Sequence, residues 1–150
     1  MERPNFRGYM RVLILDLLRE PMHGYGIMAE LEKLYGIKLS AGTVYPILSS
    51  LKRSGLIDVV ETGGRERKNY RITGRGLEYL EEHREELEEI RKKMRAYKLF
   101  LELGGDELKE AFREFFGKVE NLSGDQRREM ERVFRECARR IKLVLLGDSL

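Results

Sequence analysis

Within the stretch Ser40–Leu56, SAGTVYPILSSLKRSGL, the residues Gly42, Pro46, Ser49 and Arg53 recur at helical spacing, with Tyr45 and Ser50 beside them. At about 100° per residue they share one side of a helix, and that side has no carboxylate. A chain whose residues are 37% charged would ordinarily mix Glu with Lys on a solvated face. Small residues with a single arginine suit non-covalent chemistry instead, namely close approach to a polyanion that an acid would repel. From this segment alone an ordinary polar helix face is an equal reading. A second basic cluster follows, with Arg65, Arg67, Lys68 and Arg71 against Glu66 alone. Covalent chemistry has no such candidates, since no motif pairs a nucleophile with a base or sets two carboxylates across a cleft. Two histidines and the single Cys137 leave no metal ligand set and no intrachain disulfide, so no catalytic residue, cofactor or metal is expected.

The face at Gly42–Arg53 needs an anchored reverse side, and Val44, Ile47, Leu48 and Leu51 supply one at i, i+3, i+4 and i+7. Its start is contested. Ser40 and Thr43 can each act as N-cap, while Pro46 lacks the amide of a helix interior. A Thr43 cap suits Pro46 better; a Ser40 cap requires a tight first turn. Upstream, residues 1–7 form a short arm with Arg3 and Arg7. Tyr9, Val12, Leu13, Leu15, Leu17 and Leu18 then make a helix apolar on more than one side, hence sandwiched. Pro21 ends it and His23-Gly24 turns the chain, with His23 a turn or capping residue. A second helix turns Ile27, Met28, Leu31, Leu34 and Tyr35 inward and closes at Gly36. Tyr25 is either core or within reach of a phosphate.

After Gly55 the period changes to that of strands. Residues 56–61 and 68–73 read as a hairpin around Thr62-Gly63-Gly64-Arg65-Glu66-Arg67, whose glycines allow close backbone approach. Three helices and a basic hairpin predict a winged helix-turn-helix. Its third helix enters the major groove and its wing lies along phosphates or in the minor groove.

The segments MHGYGIMAEL, LSAGTVYPILSSLKRSGLI and RKNYRITGRGLEYL occur in this order. Together they resemble the PadR family of transcriptional regulators, over about residues 9–80. The resemblance implies a dimeric reader of double-stranded DNA that represses transcription. By position it makes Gly42, Thr43, Tyr45, Pro46, Ser49 and Arg53, with Arg65, Arg67 and Lys68 of the wing, the DNA contacts, and adds Tyr25 as a phosphate contact. It also implies a small-molecule effector at the dimer interface, although the chain has no tryptophan to stack on a flat ligand.

Beyond Thr73 a long helix is predicted, with Leu80, Leu87, Met94 and Leu101 at strict sevens and His83, Ile90 and Tyr97 between them. Glutamates crowd its first half and Lys and Arg its second, an order that permits antiparallel pairing. Leu80, Leu87, Ile90, Met94, Tyr97 and Leu101 are therefore the candidate dimer seam. Gly104-Gly105 ends this helix. A shorter one carries Leu108, Phe112, Phe115 and Phe116, and Ser123 with Gln126 opens a last helix in which Cys137 packs as a small hydrophobe.

Residues 1–76 hold 13 Lys and Arg against 8 Asp and Glu, a charge of +5, whereas residues 77–150 hold 16 against 18, a charge of −2. Only the front half is suited to a polyanion. The reading is thus a mainly α fold with a small β-hairpin, a winged-helix DNA-binding domain at 1–76 and a helical dimerisation region at 77–150. No apolar run reaches the roughly 18 residues of a membrane span, so no membrane partner and a cytoplasmic location are expected. The alternative is a winged helix that uses the same surfaces to bind another protein.

Overall fold

The computed structural model describes residues 6–147 except 62–67, with Glu61 described by its backbone only. It divides into two compact units, Met1–Gly104 and Gly105–Leu150. Among the described residues no helix is long and apolar enough to cross a membrane.

In the first unit α1 spans Phe6–Leu17, so Phe6 and Arg7 are helical, while residues 1–5 of the expected arm, Arg3 included, lie outside the described residues. Met10, Val12, Leu13, Ile14 and Leu15 are all buried, because α3 (Ala41–Arg53), α4 (Gly74–Glu82) and α5 (Arg84–Phe100) pack around this helix. The helix α2, Gly24–Tyr35, is capped by His23, whose Nδ1 accepts the Gly26 amide at 2.7 Å. It closes at Gly36, where φ is +66° and the Ile37 amide reaches back to the Leu31 carbonyl. Leu34, expected inward, is 39% exposed, since it lies at the edge of the stripe formed by Ile27, Leu31 and Tyr35.

The helix α3 spans Ala41–Arg53 and leads into β2, Ile57–Glu61, and β3, Lys68–Ile72. Met22 and His23 form a further strand, β1, giving an antiparallel sheet in the order β1-β3-β2 with Met22 opposite Tyr70 and Val59 opposite Tyr70 on the other side. Its two residues are too few to show an alternating pattern.

Thr73 fastens the exit of the sheet. Its hydroxyl accepts the Gly76 amide at 3.1 Å, capping α4 (Gly74–Glu82), and donates to the Gly55 carbonyl at 2.7 Å. A Cβ on Gly76 would lie 2.3 Å from the Leu56 carbonyl oxygen. The end of α3 and the start of α4 are therefore in backbone contact.

The heptads predict one helix from α4 onward, but the structure breaks it at His83, with φ −109° and ψ +24°. The His83 ring stacks on Tyr79, and its Nδ1 competes for the Tyr79 carbonyl at 2.8 Å. The next helix, α5 (Arg84–Phe100), packs on α1 and α2.

The second unit is a helical hairpin of α6, Asp106–Lys118, and α7, Gly124–Leu145. Ser123 and Gln126 form the expected reciprocal cap, with bonds of 3.2 and 2.9 Å. Phe134 stacks on Phe112 and meets Phe115 edge-on, yet no residue of either helix is buried. Cys137 is exposed rather than packed, because no apolar neighbour closes over that side of α7.

Candidate nucleic-acid interface

Ser40 is the N-cap residue of α3, without a side-chain cap bond. The amides of Thr43 and Val44 both reach the Ser40 carbonyl, at 3.0 and 3.1 Å, so the first turn is tight, as a Ser40 cap requires. Pro46 then falls inside the helix and returns no amide to the Gly42 carbonyl. The bond is lost on the exposed side, where solvent or a ligand can replace it.

Val44, Ile47, Leu48 and Leu51 are at most 5% exposed, and this burial holds the helix by its back. Gly42, Thr43, Tyr45, Pro46, Ser49 and Arg53 all lie on the exposed side. Tyr45 is half-covered: a Cβ on Gly24 would lie 2.6 Å from its hydroxyl oxygen, so the ring rests on the backbone that opens α2. Any larger residue at Gly24 would therefore displace the Tyr45 ring from this position. Tyr25, next along, is 69% exposed. Tyr70, buried in β3 near Tyr45, has its phenol pKa raised, chiefly by desolvation.

Lys68 is exposed at the start of β3, and Arg71 is exposed across from Asp58. Arg65 and Arg67 lie outside the described residues.

The seam residues divide. Leu80, Leu87 and Ile90 are at most 3% exposed in the core of their own unit, because the break at His83 lets α5 lie on α1 and α2. Met94 is partly buried against the same core, and Tyr97 and Leu101 keep more of their surface.

Two polar connections were not anticipated. Arg11 donates to the hydroxyls of Ser50 at 2.6 Å and Ser54 at 3.1 Å, tying α1 to α3. The basic pair Arg7 and Arg11, one helical turn apart, was the available signal. Asp16, the one charged side chain buried among the described residues, accepts from Arg19 at 2.9 Å and from Arg91 of α5 at 2.5 Å. Burial pulls the Arg91 pKa down, but hydrogen bonds to Asp16 and Glu88 outweigh it and the net direction is up. Seventy-five residues separate this pair, and nothing local announces it.

Residues 14–82 match the model of the transcriptional regulator PadR-like family. Over 92 residues the chain is 36% identical to the transcriptional regulator YqjI of Escherichia coli, covering 59% of this chain and 44% of that protein. It spans less than half the length of the curated relatives it matches. A PadR family transcriptional regulator from Eggerthella lenta is 33% identical, covering 58% of this chain and 75% of its own, with a TM-score of 0.47. A transcriptional regulator from Clostridium thermocellum is 27% identical, covering 65% of this chain and 97% of its own, with a TM-score of 0.53. YqjI and the proteins of these two structures are each transcriptional regulators by name. Because the matched segment runs from within α1 to the end of α4 and takes in all three strands, the chain belongs to the PadR-like family of transcriptional regulators.

Proposed function

We propose that this chain is a sequence-specific regulator that binds double-stranded DNA as a homodimer and represses transcription. The observation that carries this reading is the exposed, acid-free side of α3, held rigidly by a fully buried reverse side. A helix so mounted fits the major groove, where Ser49 with Gly42, Thr43 and Tyr45 meets base edges. Lys68, with Arg65 and Arg67 of the connecting loop, contacts phosphates, and Tyr25 adds a further one.

Dimerisation is supported by the second unit, where Phe112, Phe116, Ile141, Val144 and Leu145 are each at least 40% exposed. So large an apolar surface calls for a partner, and a second copy provides one by symmetry. In the first unit, Tyr97 and Leu101 are separate candidates for dimer contacts. A cleft of about 640 Å³ between α6 and α7, walled by Phe115, Val119, Leu122, Met130 and Phe134, has the size and lining for a small apolar effector. The resemblance to PadR-type regulators favours repression, in the cytoplasm.

Genomic fragments captured by the purified chain should share a pseudo-palindrome, with half-sites about one helical turn or a multiple apart. Sequencing that returns no common motif would remove the reading.

A further inference from the structure

Where α1 meets α3 there is a cleft of about 430 Å³. Arg7 and Arg11 line it from α1, and Pro46, Ser50 and Arg53 from α3. Three arginine residues line it, and no acidic residue does. Several arginines elsewhere meet acids, as Arg19 and Arg91 do with Asp16, Arg84 with Glu81, and Arg132 with Glu129, whereas others, Arg71 and Arg75 included, form no such pair among the described residues; what sets the cleft apart is that three arginines line one hollow. Among the described residues, Arg7, Arg11 and Arg53 have no acidic partner. Cations gathered without a counter-charge repel one another, and an anion among them relieves that repulsion.

The cleft is also prepared for one kind of anion. Arg11 uses one nitrogen on Ser50 and another on Ser54, which fixes the plane of its guanidinium. A guanidinium has five N–H donors, so further donors remain for a ligand. Ser50 accepts from Arg11 and keeps its own proton for an acceptor. A planar fork, two further arginines and a hydroxyl match the several oxygens of a phosphate. Pro46 and Arg53 belong both to the cleft and to the exposed side of α3, so a duplex lying on that side passes the mouth of the cleft.

We propose that Arg7, Arg11, Arg53 and Ser50 form a clamp for one backbone phosphate of the bound duplex. The proposal rests on the DNA-binding reading above. It adds α1 to α3, the wing and Tyr25 of α2 as a DNA-contacting element, and it assigns Arg53 to positioning and not to reading bases.

The test is fluorescence anisotropy of the full chain on a random-sequence duplex across a salt series, comparing wild type with Arg7→Gln, Arg11→Gln and Arg84→Gln. Arg84 carries the same charge but lies on α5. Arg7→Gln and Arg11→Gln should each weaken binding roughly threefold to tenfold and flatten the slope of log K against log salt by about one per subunit contact. Arg84→Gln should match wild type. Binding by wild type with both cleft variants unchanged overturns the clamp alone; no salt-dependent binding by wild type overturns the DNA reading and the clamp with it. Arg7 is exposed and bonded to no acid among the described residues, so Arg7→Gln decides the matter if Arg11→Gln disturbs the packing of α1 on α3.

Discussion

Gly76 shows how a single hydrogen atom can fix a connection between elements. A Cβ there would meet the Leu56 carbonyl oxygen at 2.3 Å and the Ile72 side chain at 2.5 Å, and backbone cannot step aside as a flexible side chain can. Gly76→Ala should therefore destabilise the chain by on the order of 3 kcal/mol in urea denaturation. An alanine variant as stable as wild type would mean the α3 and α4 ends are looser than described. Tyr35 gives a pH dependence. Desolvation raises its phenol pKa above the ordinary 10.0, against an opposing pull from Arg91. A group with a raised folded pKa keeps its proton longer in the folded state than in the unfolded one. Its contribution is thus complete below pH 10.0 and is lost as pH rises through the folded value. Tyr70 acts in the same direction. Stability should fall above pH 10.0, and less steeply in Tyr35→Phe/Tyr70→Phe; equal slopes in the two proteins would refute this assignment.

Between elements the division of labour can be measured. Ser49 stands on the exposed side of α3 among the proposed base-reading residues, whereas Lys68, exposed at the start of β3, is proposed as a phosphate contact. On the motif recovered from genomic fragments, Ser49→Ala should cost about 1 to 3 kcal/mol, with little change on scrambled duplex. Lys68→Ala should weaken both alike. Gel-shift titrations decide, and equal losses on both duplexes for Ser49→Ala would leave α3 positioning the protein without reading sequence. Much of this arrangement was legible in advance because periodicity reports local burial: α3, the hairpin, the Gly36 stop and the Ser123 cap each rest on neighbouring residues. The break at His83 was hidden, since the apolar sevens run straight through it and the interruption depends on one side chain bonding its own backbone. The strand β1 was hidden because its pairing is made by backbone atoms of distant Tyr70 and Asn69.

For the molecule as a whole, the heptads had pointed to Leu87 and Met94 as the place to divide a dimer. Leu87 belongs to the core of its own unit, so a glutamate there should unfold that unit and not simply separate two chains. The better place is α7, where Ile141 is 50% and Leu145 80% exposed. Ile141→Glu/Leu145→Glu should shift sedimentation from dimer to monomer at micromolar concentration with helicity retained. A dimer unaffected by this double change would move the seam elsewhere. The proposed DNA-facing surface was likewise only partly legible: the exposed side of α3 followed from spacing, but the cleft with Arg7 and Arg11 required the crossing of two helices.

The bond between Asp16 and Arg91 bears on how such a molecule could be controlled. It joins α1, which carries Arg7 and Arg11, to α5. A displacement of α5 must either break this ion pair or drag α1 along, straining the bonds from Arg11 to Ser50 and Ser54 while the buried stripe keeps α3 in the core. With a phosphate held by α1, such a movement would alter grip and leave recognition intact. Control exercised through α5 would then work as a dimmer, lowering occupancy at every operator in proportion, rather than as a tuner that redirects the protein from one set of operators to another.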